Sequence, residues 1–200
     1  MTVSASSELR FDTGRVCLNL LATVTGRLPD EPVDRLDSPA RLTEWLYGSG
    51  LVPSGTPVPA DAAWLGRFLA LRDVLRRVVT AQLGATRDGA APADISRLNA
   101  AALAAPPAPS ARPAPDGSLV RTLAAEPDCA ALLAAVARDA VDLLTDPAAR
   151  SQLRQCEGES CSLIYLDASR GRRRRWCSSE ICGNRERVAR HRRRAVATQP

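Results

Sequence analysis

The stretch CEGESCSLIYLDASRGRRRRWCSSEICGNR, residues 156–185, decides how the chain is read. It holds two Cys-x4-Cys pairs, Cys156/Cys161 and Cys177/Cys182, separated by fifteen residues. Four thiolates delivered as two close pairs are the ligand set of a structural zinc site, where the protein fills all four tetrahedral positions. Gly158 allows the first pair a tight turn. The spacing predicts a β-like run over 162–167, a turn over 168–171 and a return strand over 172–176. Ser178 or Ser179 is expected to cap a helix that carries Cys182 in its first turns. On that helix Ile181, Val188 and Ala195 share a side expected to pack on the hairpin, and Arg187, Arg190 and Arg194 share the other.

Charge is distributed unevenly around this stretch. Residues 151–200 contain 12 of the 27 basic residues and 5 of the 22 acidic ones, whereas the first 150 carry a small net negative charge. Zinc bound by four thiolates carries a net charge of about −2, which leaves the tail near +5. Every basic side chain except His191 is an arginine. High alanine, glycine and proline content points to a GC-rich coding sequence as the main reason, yet the guanidinium fork still suits phosphate and guanine. The candidate nucleic-acid contacts are Arg172, Arg173, Arg174, Arg175, Asn184, Arg185, Arg187, Arg190 and Arg194. For Asn184 and Arg185 the alternative is structural: a bond back to the knuckle, or support of a carboxylate such as Asp167. His191 reads as a solvated helix residue, and Cys17 and Cys129 as small buried hydrophobes.

Upstream, composition favours helices. Only 4% of residues are aromatic, and alanine, leucine and arginine are good helix formers. Residues 15–25 are apolar, with helix or strand left open. A helix is expected from Pro39, capped by Asp37 or Ser38, with Leu42, Trp45 and Leu46 on its inner face. A long amphipathic helix follows over 61–83, a shorter one over 94–103, and a buried one over 127–144. The proline-rich segment 104–117 reads as a loop or the far end of a hairpin, and 119–123 as a short strand. Asp146-Pro147 breaks the last long helix, and a short helix over 148–154 leads to the cysteines. The fold class expected is mainly α: a helical N-terminal domain (1–150) with a small β-hairpin, and a tetra-cysteine finger of hairpin and helix (151–200).

No GxGxxG, P-loop, GxSxG or HExxH is present, so an enzyme is not expected. With neither a leader-like start nor a long apolar run, the expectation is a cytoplasmic protein whose clustered cysteines bind metal rather than form disulfides. Trp45, Tyr47, Trp64 and Arg72 are candidates to line an effector pocket, with ordinary packing the stronger reading.

The tetrad Cys182-Gly183-Asn184-Arg185 resembles the signature of the CGNR zinc fingers. Tyr165-Leu-Asp167, Ser169-Arg170, Arg175-Trp176-Cys177-Ser178 and the basic run that follows extend the match. The segments VCLNLLATV (16–24), DSPARLTEWL (37–46) and LRDVLRRVV (71–79) are similar to the ABATE-type domain that accompanies that finger. Asn19 stands where the family's aspartate is expected, and Glu186-Arg187 where a pair ending in lysine is usual. The resemblance implies a stress-induced transcription regulator whose finger binds DNA; the reading of the residues adds one structural Zn²⁺, double-stranded DNA as the partner, and an N-terminal domain that senses a small molecule or forms a homodimer. The alternative is a zinc-stabilised module that binds protein or RNA.

Overall fold

The computed structural model describes residues 8–26, 32–84 and 89–197; within the C-terminal helix, the side chains of Arg192 and of residues 194–197 lie outside the described set. Among the described residues the fold is mainly helical, with three two-stranded antiparallel ribbons. In the apolar segment over 15–25, a short helix α1 (Val16–Leu21) runs into a strand β1 (Val24–Thr25) that pairs with β2 (Val33–Asp34). The helix half is buried from Cys17 to Leu21, which places it in the middle of the core.

Helix α2 (Pro39–Gly48) starts where the sequence indicates: Ser38 accepts a hydrogen bond from the Arg41 N–H, and Pro39 occupies the first turn, where no N–H is needed. Asp61 does the same for α3 (Ala62–Gln82), accepting from Trp64 N–H at 2.8 Å, and Asp128 for α5 (Cys129–Thr145). Helix α4 (Pro92–Ala101) opens on its proline, two residues earlier than the sequence suggests. Helix α5 is the central element, packed on α1, α3 and α4. Its inner face, Leu132, Val136, Ala140 and Leu143, meets Leu18, Leu20, Phe68 and Leu75 within one buried cluster. The apolar spacing of three and four residues along α3 and α5 puts these side chains on one face of each helix.

The proline-rich segment is half hairpin. Strand β3 (Pro109–Pro113) pairs with β4 (Leu119–Leu123), and the turn between them is held by Asp116, which accepts from the N–H and hydroxyl of Ser118. After α6 (Pro147–Arg150) the chain departs from expectation. The expected helix stops, and β5 (Leu153–Gln155) pairs with β6 (Ile164–Leu166) in the register Leu153↔Leu166, Gln155↔Ile164. The tertiary reason is that Leu153 and Ile164 belong to the main core, which an extended strand can feed from alternate positions. A final helix α7 (Cys182–Ala197) closes the described chain. Among the described residues, no helix is long and apolar enough to cross a membrane.

Two further sequence expectations need correction. Residues 172–176 form no strand; the hairpin of the finger is β5–β6, and the first cysteine pair sits in its connection. Ile181 and Val188 do not pack on that hairpin but are 48% and 45% exposed, while the side chain of Ala195 lies outside the described set. For the effector-pocket candidates the stronger reading, ordinary packing, is the one seen. Trp45 is buried edge-on to Phe68 and donates to the Asn19 carbonyl, and Tyr47 donates to Thr56 O. Trp64 packs against the main core, and Arg72 is bound by Asp34 and Thr23.

Candidate metal centre and basic surface

Cys156 follows the last residue of β5, and its N–H donates to Leu163 O at 2.9 Å, so the knuckle turns directly from one strand into the next. Cys161 N–H donates back to Gly158 O at 3.1 Å. A Cβ at Gly158 would meet Cys161 Cβ at 3.4 Å and Cys156 Sγ at 3.6 Å, ordinary contact distances, so the turn packs closely there without depending on glycine. The second pair arrives on the other side. Ser178 accepts from Ile181 N–H at 3.2 Å and caps the entry to α7, whose first residue is Cys182. Cysteine at a helix start is favoured as thiolate by the aligned N–H dipoles.

All four Sγ atoms lie within 4.8 Å of one another. Cys161 and Cys177 are 3.8 Å apart and Cys177 and Cys182 3.5 Å. Four sulfurs each about 2.3 Å from a central zinc would be separated by about 3.8 Å, so the donor set fits Zn²⁺ in both chemistry and size. Proton sharing within the cluster splits the thiols. Cys156 is held far down by its contacts with Cys161, Cys177 and Cys182, whereas contacts with Cys156 and Cys177, together with burial, push Cys161 and Cys182 up. For Cys177 the contact with Cys156 raises, but those with Cys161 and Cys182 prevail and bring it to about 7. Four adjacent thiolates need a cation to coexist, and Zn²⁺ supplies it. The site is a single structural zinc centre, its four positions filled by protein.

Around it lies a small core of Ala22, Leu163, Tyr165 and the buried cysteines, with Trp176 against it. Asp167, fully buried, organises the loop that follows β6: it accepts from Ser169 N–H and Oγ and from Arg174 N–H. Those bonds, led by Ser169, hold its carboxyl below the usual range. Arg174 is drawn inward. Its guanidinium lies 4.6 Å over the Tyr165 ring, its Nε donates to Trp176 O, a second N–H donates to Cys177 O, and its own carbonyl accepts from Tyr165 OH. Arg174 therefore braces the finger.

The other candidates face outward. Arg172, Arg173, Arg175, Asn184, Arg185, Arg187 and Arg190 are exposed. Arg175 pairs with Glu157 at 2.6 Å and lies over Trp176, and Arg187 donates to Ser179 O. The side chains of Arg172, Arg173, Asn184, Arg185 and Arg190 make no hydrogen bond or ion pair with any described residue. Among the described residues neither the Asn184 nor the Arg185 side chain bonds to the knuckle or to Asp167, whose bonds come from Ser169 and Arg174. The side chain of Arg194 lies outside the described set. His191 is exposed, and Cys17 and Cys129 are buried in the main core, the first with its thiol pushed up by burial.

One contributor escaped sequence reading. Arg10 Nη1 donates to Cys177 Sγ at 3.3 Å across 167 residues. No local motif marks it; only the fold brings residue 10 to the metal centre.

The geometry agrees with what is known of similar chains. A family model named ABATE and described as a putative stress-induced transcription regulator matches residues 14–147. The chain belongs to the ABATE family. A second model, the CGNR zinc finger, matches residues 152–195 and covers the four cysteines of the metal centre. No curated protein matches the chain. In this ABATE protein packing crosses the expected boundary at residues 150 and 151: Leu153 and Ile164 join the helical core, and Ala22 joins the zinc cluster.

Proposed function

We propose that this protein is a DNA-binding transcription regulator in which the zinc finger contacts the duplex and the helical region receives the signal. The carrying observation is the set of exposed side chains on a metal-braced scaffold, Arg172, Arg173, Asn184, Arg185 and Arg190, that have no partner among the described residues. Exposed guanidinium groups left unpaired are available to phosphates, and a rigid support lowers the entropy lost when they dock. A cleft of about 360 Å³ beside Cys177, lined by Arg173, Arg174, Arg175 and Trp176 together with Asp12 and Glu180, adds a concave surface in which arginines outnumber carboxylates. Asn184 and Arg185, adjacent at the start of α7, are the residues suited to adenine and guanine edges.

For the helical region, a groove of about 330 Å³ between α3, α4 and α5 supports a ligand-receiving role; Leu71, Val74 and Leu133 form its apolar wall and Arg67 and Arg97 are among its lining residues. The fluorescence polarisation of labelled duplex DNA, titrated with intact protein at several salt concentrations, tests the proposal. About five neutralised phosphates give a slope of log K against log salt near −4.5. A flat slope overturns it. The exposed pair Ile181, just before α7, and Val188 on it favours a second reading, an interface with another protein. A flat slope together with a protein complex that survives nuclease treatment would select that reading.

A further inference from the structure

Zinc with four thiolates carries a net charge of about −2, and in this centre Cys156, Cys177 and Cys182 are buried away from water. Buried charge of that size calls for nearby N–H donors and positive charge. The backbone supplies donors: Cys177 N–H points at Cys156 Sγ at 3.4 Å, and the Leu163 N–H serves Cys161. A cation comes from far away in sequence. The Arg10 guanidinium places Nη1 3.3 Å from Cys177 Sγ and Nη2 3.5 Å from Cys177 O. Its remaining edge is held by Asp12, with Nε on Oδ1 at 3.0 Å and Nη2 on Oδ2 at 2.7 Å. The side chain is thus pinned at both ends and only 21% exposed, unlike a mobile surface arginine.

The surrounding chain is built to keep it there. Leu166 N–H of β6 donates to Thr13 O at 2.9 Å, and Gly14, at φ +94°, lies so close to Leu166 that a Cβ would sit 3.2 Å from Leu166 Cβ. Farther along, Ser162 Oγ donates to Gly26 O at 2.9 Å, and Ala22 is buried among the cysteines. The segment 10–26 therefore touches the finger at β6, at the knuckle exit and at the metal cluster.

We propose that Arg10 is a positioning residue of the zinc centre, an outer-sphere partner that orients Cys177 and offsets the negative charge of the bound metal, so that metal retention depends on the N-terminal segment. The N–H···S bond withdraws electron density from the thiolate and makes it both a steadier ligand and a poorer nucleophile. Orienting groups of this kind are worth about 10- to 100-fold in metal affinity.

The test uses the full chain with Arg10→Met, Arg10→Lys and Asp12→Asn, and three readings: zinc affinity by competition with a chromogenic chelator, the sulfur-to-metal absorption of the cobalt(II)-loaded protein, and the alkylation rate of Cys177. Arg10→Met is expected to weaken zinc binding about 10- to 100-fold. It should also move the cobalt band to lower energy and speed alkylation. Arg10→Lys keeps the charge without the fork and should fall between, and Asp12→Asn should shift the band in the same direction by less. Wild-type zinc affinity with an unmoved cobalt band in Arg10→Met overturns the proposal. If that variant does not fold, an unmoved band in both Arg10→Lys and Asp12→Asn overturns it equally.

Discussion

Replacing Asp34 with alanine should destabilise the helical region by leaving a buried cation without its counter-charge. The Arg72 side chain on α3 is 7% exposed and donates Nη1 to Asp34 Oδ1 at 2.7 Å and to Thr23 Oγ1 at 2.8 Å, with Nη2 on Asp34 Oδ2 at 2.5 Å. Its Nε is buried with no partner among the described residues, so Asp34 and Thr23 carry its hydrogen bonding. Arg76 lies close enough for its charge to be opposed by Arg72, and the Asp34 carboxylate moderates that repulsion. Removing one member of a buried pair costs about 3–5 kcal/mol. Asp34 itself is 42% exposed, so water will reach part of the gap, and the lower end, about 3 kcal/mol, is expected here. Urea denaturation followed by helical circular dichroism measures the loss. The double variant Asp34→Ala/Arg72→Met should recover part of it, because the buried charge is then gone. A loss below about 0.5 kcal/mol, the range of ordinary surface changes, refutes the reasoning. So does a double variant less stable than the sum of the two single changes. The pH profile supplies an independent reading. Burial raises the Asp34 carboxyl, but the bonds from Arg72 and the Leu36 N–H outweigh it and hold it below its ordinary value. A carboxyl depressed in the folded state stabilises fully above its unfolded pKa of about 3.9 and loses that contribution as pH falls through the folded value. That component of the acid limb should be missing in Asp34→Ala.

Cys161→Ser and Cys182→Ser should each lower bound zinc, read by atomic absorption, well below one ion per chain and abolish protection of the β5–β6 amides in hydrogen exchange; a fully loaded variant would refute the ligand set. Arg172→Ala/Arg173→Ala should make the salt slope on duplex DNA shallower by about 1.8, and an unchanged slope would remove that loop from the interface. Gly14→Ala forces a side chain into the left-handed region against Leu166 and should cost about 1–2 kcal/mol in thermal unfolding. Since that contact joins the N-terminal segment to β6, zinc affinity should fall with it, and a neutral effect on both would show the joint to be slack.

The proposed regulator depends on how much of this architecture is local. The helices over α2, α3 and α5 were legible because caps, prolines and apolar spacing are written within a few residues of each element. The metal centre was legible for a related reason, since four cysteines in two pairs leave few other uses for so many thiols. The finger's strands were not. β5 pairs with β6 because Leu153 and Ile164 find a place in a core assembled from α1, α3 and α5, information that lies outside residues 150–176. The same holds for the arginines: composition supplied a dense basic run, but only packing over Tyr165 shows that Arg174 is a brace.

The sequence by itself determined the helical class, the zinc ligands and the basic character of the tail, because each rests on short-range periodicity, ligand spacing or net charge. Tertiary structure alone decided that Arg72 is bound within the packed fold, that Ile181 and Val188 face outward, and that Arg10 reaches Cys177. Those outcomes depend on which surfaces meet when the helices close on one another. A guanidinium's role, as brace, counter-ion or free contact, is set by its neighbours in space and not by its neighbours in the chain.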